Sequence, residues 1–138
     1  MIREIVKDES FLKKPAEKAG KEDLNVAADL ADTLRFHGEH CLGMAANMIG
    51  RNVAVIAVQC PGMPLPLVML NPEIMEREGQ RVMMEGCLSL DGQRPALRAE
   101  KITVRYQTMN LDWKQGEYRG LAAQVIQHEV DHLRGILI

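Results

Sequence analysis

The sequence predicts an α+β fold: a single compact domain over residues 1–138, with antiparallel or mixed β-sheets, one N-terminal helix and one C-terminal helix. Three observations predict it. Apolar residues recur at helical spacing near the start, extended segments dominate the middle, and a second helical stripe closes the chain. The order helix, strands, helix is not the regular βαβ alternation of a parallel sheet.

Each element follows from its residues. Over 22–37, Leu24, Ala27, Ala28, Ala31 and Leu34 share one side of a helix, while Asp23, Asp29, Asp32 and Arg35 lie elsewhere on the cylinder. Acidic groups near the first turns complement the helix dipole, and Gly38 is placed to cap the end. The run 53–58 is β-branched and almost continuously apolar, the pattern of a buried strand. "CPGMPLP" interrupts it, 65–70 resumes extended structure, and Asn71-Pro72 marks a turn. Further strands are expected at 81–84 and at 102–107, where Ile102, Val104 and Tyr106 alternate with Thr103 and Arg105. "NLDWKQGEY" reads as a hairpin tip. The last helix, 120–133, carries Leu121, Val125, His128 and His132 on one stripe.

Composition narrows the function classes. Hydrophobic residues make up 46% and charged residues 26%, an ordinary globular balance. A net charge of -2 gives no reason to expect DNA or an anionic membrane as partner. No apolar run approaches the roughly 20 residues that span a bilayer. The N-terminus is charged from Arg3 onward, unlike a secretory signal. Three widely spaced cysteines do not make a disulfide framework, so a reducing cytoplasm is expected.

The chemistry concentrates in "QHEVDH", residues 127–132. His128 and His132 stand at i, i+4, one helical turn apart on one face, with Glu129 beside the first. Two imidazoles can fix a divalent metal while the glutamate serves as general base, which makes the C-terminal helix metal-bearing. Asp131 reads as a surface charge or as support for an imidazole. The third ligand comes from Cys41, Cys60, Cys87, His37, His40 or a carboxylate. Cys87 is the best placed of these. It follows Gly86, which permits close backbone approach, and its apolar neighbours would leave a thiolate poorly solvated without a cation. Cys-His-His with an open fourth position is the arrangement of a catalytic site.

"EGCLS" at 85–89 and "QHEVDHL" at 127–133 resemble the motifs of peptide deformylases, in that family's order and approximate separation. The family's G-x-G-x-A-A-x-Q is echoed by "CLGMAANM", in which Gly43, Ala45 and Ala46 match, Cys41 replaces a glycine and Met48 replaces the glutamine. The resemblance covers essentially the whole chain and stops at Ile138, without the C-terminal extension of many members. It implies that Cys87, His128 and His132 hold Fe(II), replaceable by Zn, Ni or Co. It implies that Glu129 carries protons between the attacking water and the departing amine. The implied substrate is the formyl-methionine at the start of nascent peptides, with formate released and with transient ribosome association. Leu88 would hold the formyl oxygen through its N–H, Gly43 would pair with the substrate backbone, and Arg94 would stand near the pocket mouth. At Met48 a thioether cannot donate the hydrogen bond that the family's amide supplies, a loss worth about 10²–10³ in rate. The alternative reading is a divergent metallohydrolase, weak on formyl-peptides or acting on another small amide.

Overall fold

The chain, described over residues 1–137 by a computed structural model (the side chains of Leu90 and Asp91 apart), builds one antiparallel sheet between two helices. In chain order the elements are α1 (Glu9–Leu12), α2 (Leu24–Phe36), β1 (Gly43–Ala45), β2 (Val55–Val58), β3 (Leu67–Cys87), β4 (Leu90–Gln107), β5 (Trp113–Arg119) and α3 (Gly120–Leu133). The five strands lie in sequence order, β1-β2-β3-β4-β5, so the sheet is a meander with β1 and β5 on its edges. The α+β class and the last helix agree with expectation.

The sheet's centre explains why 53–58 reads as continuously apolar. Side chains alternate across a strand. Ile56 and Val58 pack with Ala123, Ile126 and Val130 of α3, whereas Val55 and Ala57 pack with Ala27, Leu30 and Leu34 of α2. All four β2 residues are fully buried. β1 divides in the same way, Ala45 toward α3 and Met44 toward α2.

Four local readings are corrected. Asn71-Pro72 is no turn: β3 runs through it, with the register to β4 slipping between Leu70 and Glu73. A bulge there tolerates the missing proline N–H. Asn71 takes φ 51, and its side chain bonds both backbone groups of Ala19 at 2.8 and 2.9 Å, which holds the irregularity in place. The 81–84 segment is part of that same long strand. The tip of the last hairpin is confined to Thr108–Asp112, and "WKQGEY" pairs along β4 instead. Gly38 does not take the left-handed conformation; α2 ends at His37, whose N–H reaches Thr33 and Leu34 carbonyls. The short α1, begun by Asp8 accepting from Ser10 N–H, and the short β1 carry too few residues to show a periodicity.

Candidate metal centre

α3 reaches the sheet through an apolar stripe and is locked in rotation by one amide. Gln127 accepts from Ala99 N–H at 2.8 Å and donates to Ala99 O and Ala123 O, each at 2.9 Å. With the helix so fixed, His128 and His132 face the end of β3. Their Nε2 atoms are 3.0 Å apart and the rings cross at 70°. Cys87, the last residue of β3, completes a group whose three ligand atoms lie within 4.8 Å of one another. These residues fit a divalent metal on the chemistry of the donors: one thiolate and two imidazoles suit first-row ions. Two buried Nε2 atoms at that spacing must share either a proton or a cation. His132 Nδ1 is buried with no partner among the described residues.

A second layer orients the first. His128 Nδ1–H donates to Glu85 Oε1 at 2.8 Å, which turns Nε2 toward Cys87 and His132. Arg98 grips Glu85 with two bonds, 2.8 and 2.6 Å, and reaches Asp131 on α3 at 2.7 Å. Burial disfavours the Glu85 carboxylate, yet bonds from His128 and Arg98 hold its pKa down at about 2. Burial likewise opposes charge on both rings. Hydrogen bonding to Cys87 and Glu85 nevertheless lifts His128 to about 10, while His132, buried and facing a charged His128, falls to about 3.

A cavity of about 620 Å³ opens beside the cluster, lined among others by Cys41, Gly43, Leu88, Val125 and Glu129. Glu129 is 3% exposed and its Oε1 has no partner among the described residues. Burial pushes its carboxyl up to about 7. Gly43 is required by this approach: a Cβ there would lie 2.6 Å from Val125 Cγ1 and 3.0 Å from Glu129 Oε2. Gln59 N–H bonds Leu42 O at 2.8 Å, so by antiparallel alternation Gly43 and Ala45 turn their own N–H and C=O toward the free edge.

A sequence profile for the family described as polypeptide deformylase matches residues 2–138. The chain belongs to the peptide deformylase family. It is a metal-dependent hydrolase of that family, and a Cys/His/His divalent-metal site is present. A peptide deformylase of Clostridium beijerinckii is 44% identical over 138 residues, covering all of both chains. One from Dictyoglomus thermophilum is 41% identical, covering all of this chain and 91% of the relative. Among solved structures, a deformylase from Legionella pneumophila superposes with TM-score 0.89 at 31% identity, over 99% of this chain and 83% of that one. A class I type b deformylase from Acinetobacter baumannii, bound to Met-Ala-Ser, gives TM-score 0.86 at 31% identity over 99% and 97%.

The structure brings Cys87, His128, Glu129, Leu88 and Gly43 around one cavity, sets His132 behind them as the third member of the ligand group, and leaves Met48 and Arg94 off the lining. Met48, 1% exposed, packs in the α2 cluster, and its sulfur accepts from Ala45 N–H at 3.5 Å. Arg94 stands across the hairpin from Glu85, half-buried, with Nη1 lacking a partner among the described residues. The carboxylate that orients an imidazole is Glu85; Asp131 serves Arg98. Sequence reasoning passed over Glu85 and Arg98. Glu85 could have been found from its place two residues before Cys87, on the same strand face. Arg98 had no such signal, because only strand pairing carries it to Glu85.

Proposed function

We propose that this chain, acting as one deformylase-like domain, removes the N-formyl group from the initiator formyl-methionine of nascent peptides and releases formate. One observation carries the reading. A buried carboxylate, Glu129, faces the cavity with one oxygen unpartnered among the described residues, directly beside the Cys87, His128 and His132 cluster. A divalent ion held by those three residues would supply Lewis acidity toward a water and a carbonyl. Glu129 then takes a proton from the attacking water and returns it to the departing amine, a task suited to a carboxyl lifted toward neutrality. Leu88, on the turn after Cys87, offers its N–H to the formyl oxygen as charge develops. Gly43, on an edge strand, pairs with an extended peptide backbone. Met48 acts at one remove, by holding Ala45 N–H on that same edge. Arg94 supports the pocket mouth from the hairpin.

The proposed native ion is Fe(II), with Zn, Ni or Co able to take its place. The proposed setting is the cytoplasm, in transient contact with ribosomes. Three free thiols support a reducing compartment, and no helix among the described residues is long and apolar enough to cross a membrane. A second reading, a weak deformylase or a hydrolase of another small amide, is favoured by the burial of Met48 where an amide donor was expected. Formate release from formyl-Met peptides by Fe(II)-loaded protein decides between them. Turnover at kcat of about 1 s⁻¹ or more, within the usual enzyme range, supports the first. Undetectable formate overturns it.

A further inference from the structure

The β3–β4 hairpin has two unlike faces. On one, Glu85 and Arg98 are buried against α3, and the exposed remainder is polar, with Arg81 paired to Glu100 at 3.0 Å. On the other, Val82 stands directly opposite Leu97 and Met84 opposite Pro95. Val82 is 69% exposed, Leu97 58% and Met84 56%. An antiparallel hairpin covered on one side ordinarily alternates to polar residues on its open side. Here the open side is apolar across two consecutive cross-strand pairs, which is the informative kind of exposure.

That face runs into the cavity. Met84 lines the cavity as well as the bare face, and Leu121, 45% exposed, lines it from α3. At about 620 Å³ the cavity matches pockets that enclose a small ligand, not an extended chain. A longer peptide must therefore leave over the lip, where Met84 and Leu121 are the exposed large apolar side chains. We propose that the Val82, Met84, Pro95 and Leu97 face is a track for apolar side chains of the peptide substrate beyond those the cavity encloses. The inference rests on the deformylase reading and deepens it: the favoured substrates are longer chains with apolar residues after the first two.

The test compares formyl-Met-Ala, formyl-Met-Ala-Leu-Leu and formyl-Met-Ala-Ser-Ser on metal-loaded wild type and on the double variant Val82→Thr, Leu97→Thr, which keeps β-branched residues in the strands. For wild type, KM should be about three- to tenfold lower with the leucine peptide than with the serine peptide, the effect of partly burying two side chains. In the variant that preference should vanish, with KM for formyl-Met-Ala and metal content unchanged. An equal preference in both proteins, or none in wild type, overturns the track. If no peptide is deformylated, the deformylase reading fails separately, and calorimetric binding of Met-Ala-Leu-Leu still reads the track by the same comparison. Should the double variant lose metal or unfold, the single variant Leu97→Thr takes its place with the same two outcomes. Sedimentation velocity covers the remaining occupant: a wild-type dimer that the variant abolishes, without change in peptide preference, assigns the face to a second copy and overturns the proposal.

Discussion

Two segments that touch at Gly43 line the cavity together, and they contribute in opposite ways. α3 brings side chains: His128, Glu129 and His132 all point at the site, and Gln127 and Asp131 tie the helix to β4. The segment from Cys41 to Met48 brings backbone. Its Gly43 has no side chain, its Met44 and Met48 turn away into the α2 cluster, and what it presents is a strand edge whose groups are met only by local sulfur contacts, Cys41 Sγ to Gly43 O at 2.9 Å and Ala45 N–H to Met48 Sδ at 3.5 Å. Reactive groups need fixed side chains on a rigid element, whereas pairing with an extended peptide needs only a free strand edge. The first kind of contribution tolerates little substitution. The second tolerates any residue that keeps the edge clear.

The largest effects should come from the side-chain half. Cys87→Ala removes one of three ligands and is expected to abolish stoichiometric metal binding, whereas Cys60→Ala, in the core opposite α3, keeps it; metal analysis of both purified variants checks this. Equal occupancy would detach Cys87 from the site. Next, Glu129→Gln keeps size and metal but cannot accept a proton. Formate release should fall by about 10²–10⁴. Unchanged turnover in the fully loaded variant would give Glu129 another role.

On the backbone side, Gly43→Ala puts a methyl group 2.6 Å from Val125 Cγ1, so α3 or β1 must shift. A loss of about 1–3 kcal/mol in denaturant stability is expected, with KM for formyl-Met peptides raised. Wild-type stability would mean the two elements are less closely packed than described. Met48→Gln is a sharper probe. Because Met48 packs on the α2 side, kcat should move by less than tenfold rather than the about 10²–10³ associated with a direct oxyanion donor. A rise of a hundredfold would show that the side chain swings into the cavity and would erase the contrast between the segments.

The smallest effect concerns acid stability. Glu85 has a folded pKa of about 2, below its ordinary 4.5, so its contribution is complete above about pH 4.5 and is lost as pH falls through about 2. Urea midpoints of wild type should decline across that window more steeply than those of Glu85→Gln. Parallel curves would mean that the carboxylate is not held by Arg98 and His128 in solution.

Residue order alone reveals the elements that repeat a period and the ligands that share one. The 120–133 helix and the His128, Glu129, His132 set are visible because 3.6-residue spacing states which side chains share a face, and the strand expected at 53–58, found as Val55–Val58, is visible as a continuous β-branched apolar run. Cys87 was the best placed third ligand by its position after Gly86 among apolar residues, and the family resemblance implies the same assignment. Tertiary structure alone decided where non-local pairing acts. Asn71-Pro72 reads locally as a turn, and only its bonds to Ala19 and its slipped register with β4 make it a bulge. Met48 aligns with a position expected at the cavity, but its 3-10 turn, Ala46–Ile49, carries it into the α2 core. Arg98 is thirteen residues from Glu85 and thirty-three from Asp131, so no local pattern joins them. The hairpin brings Arg98 beside Glu85, and the packing of α3 brings Asp131 to both. Spacing along the chain encodes what one element presents; which element it meets is settled when the sheet and helices close on one core.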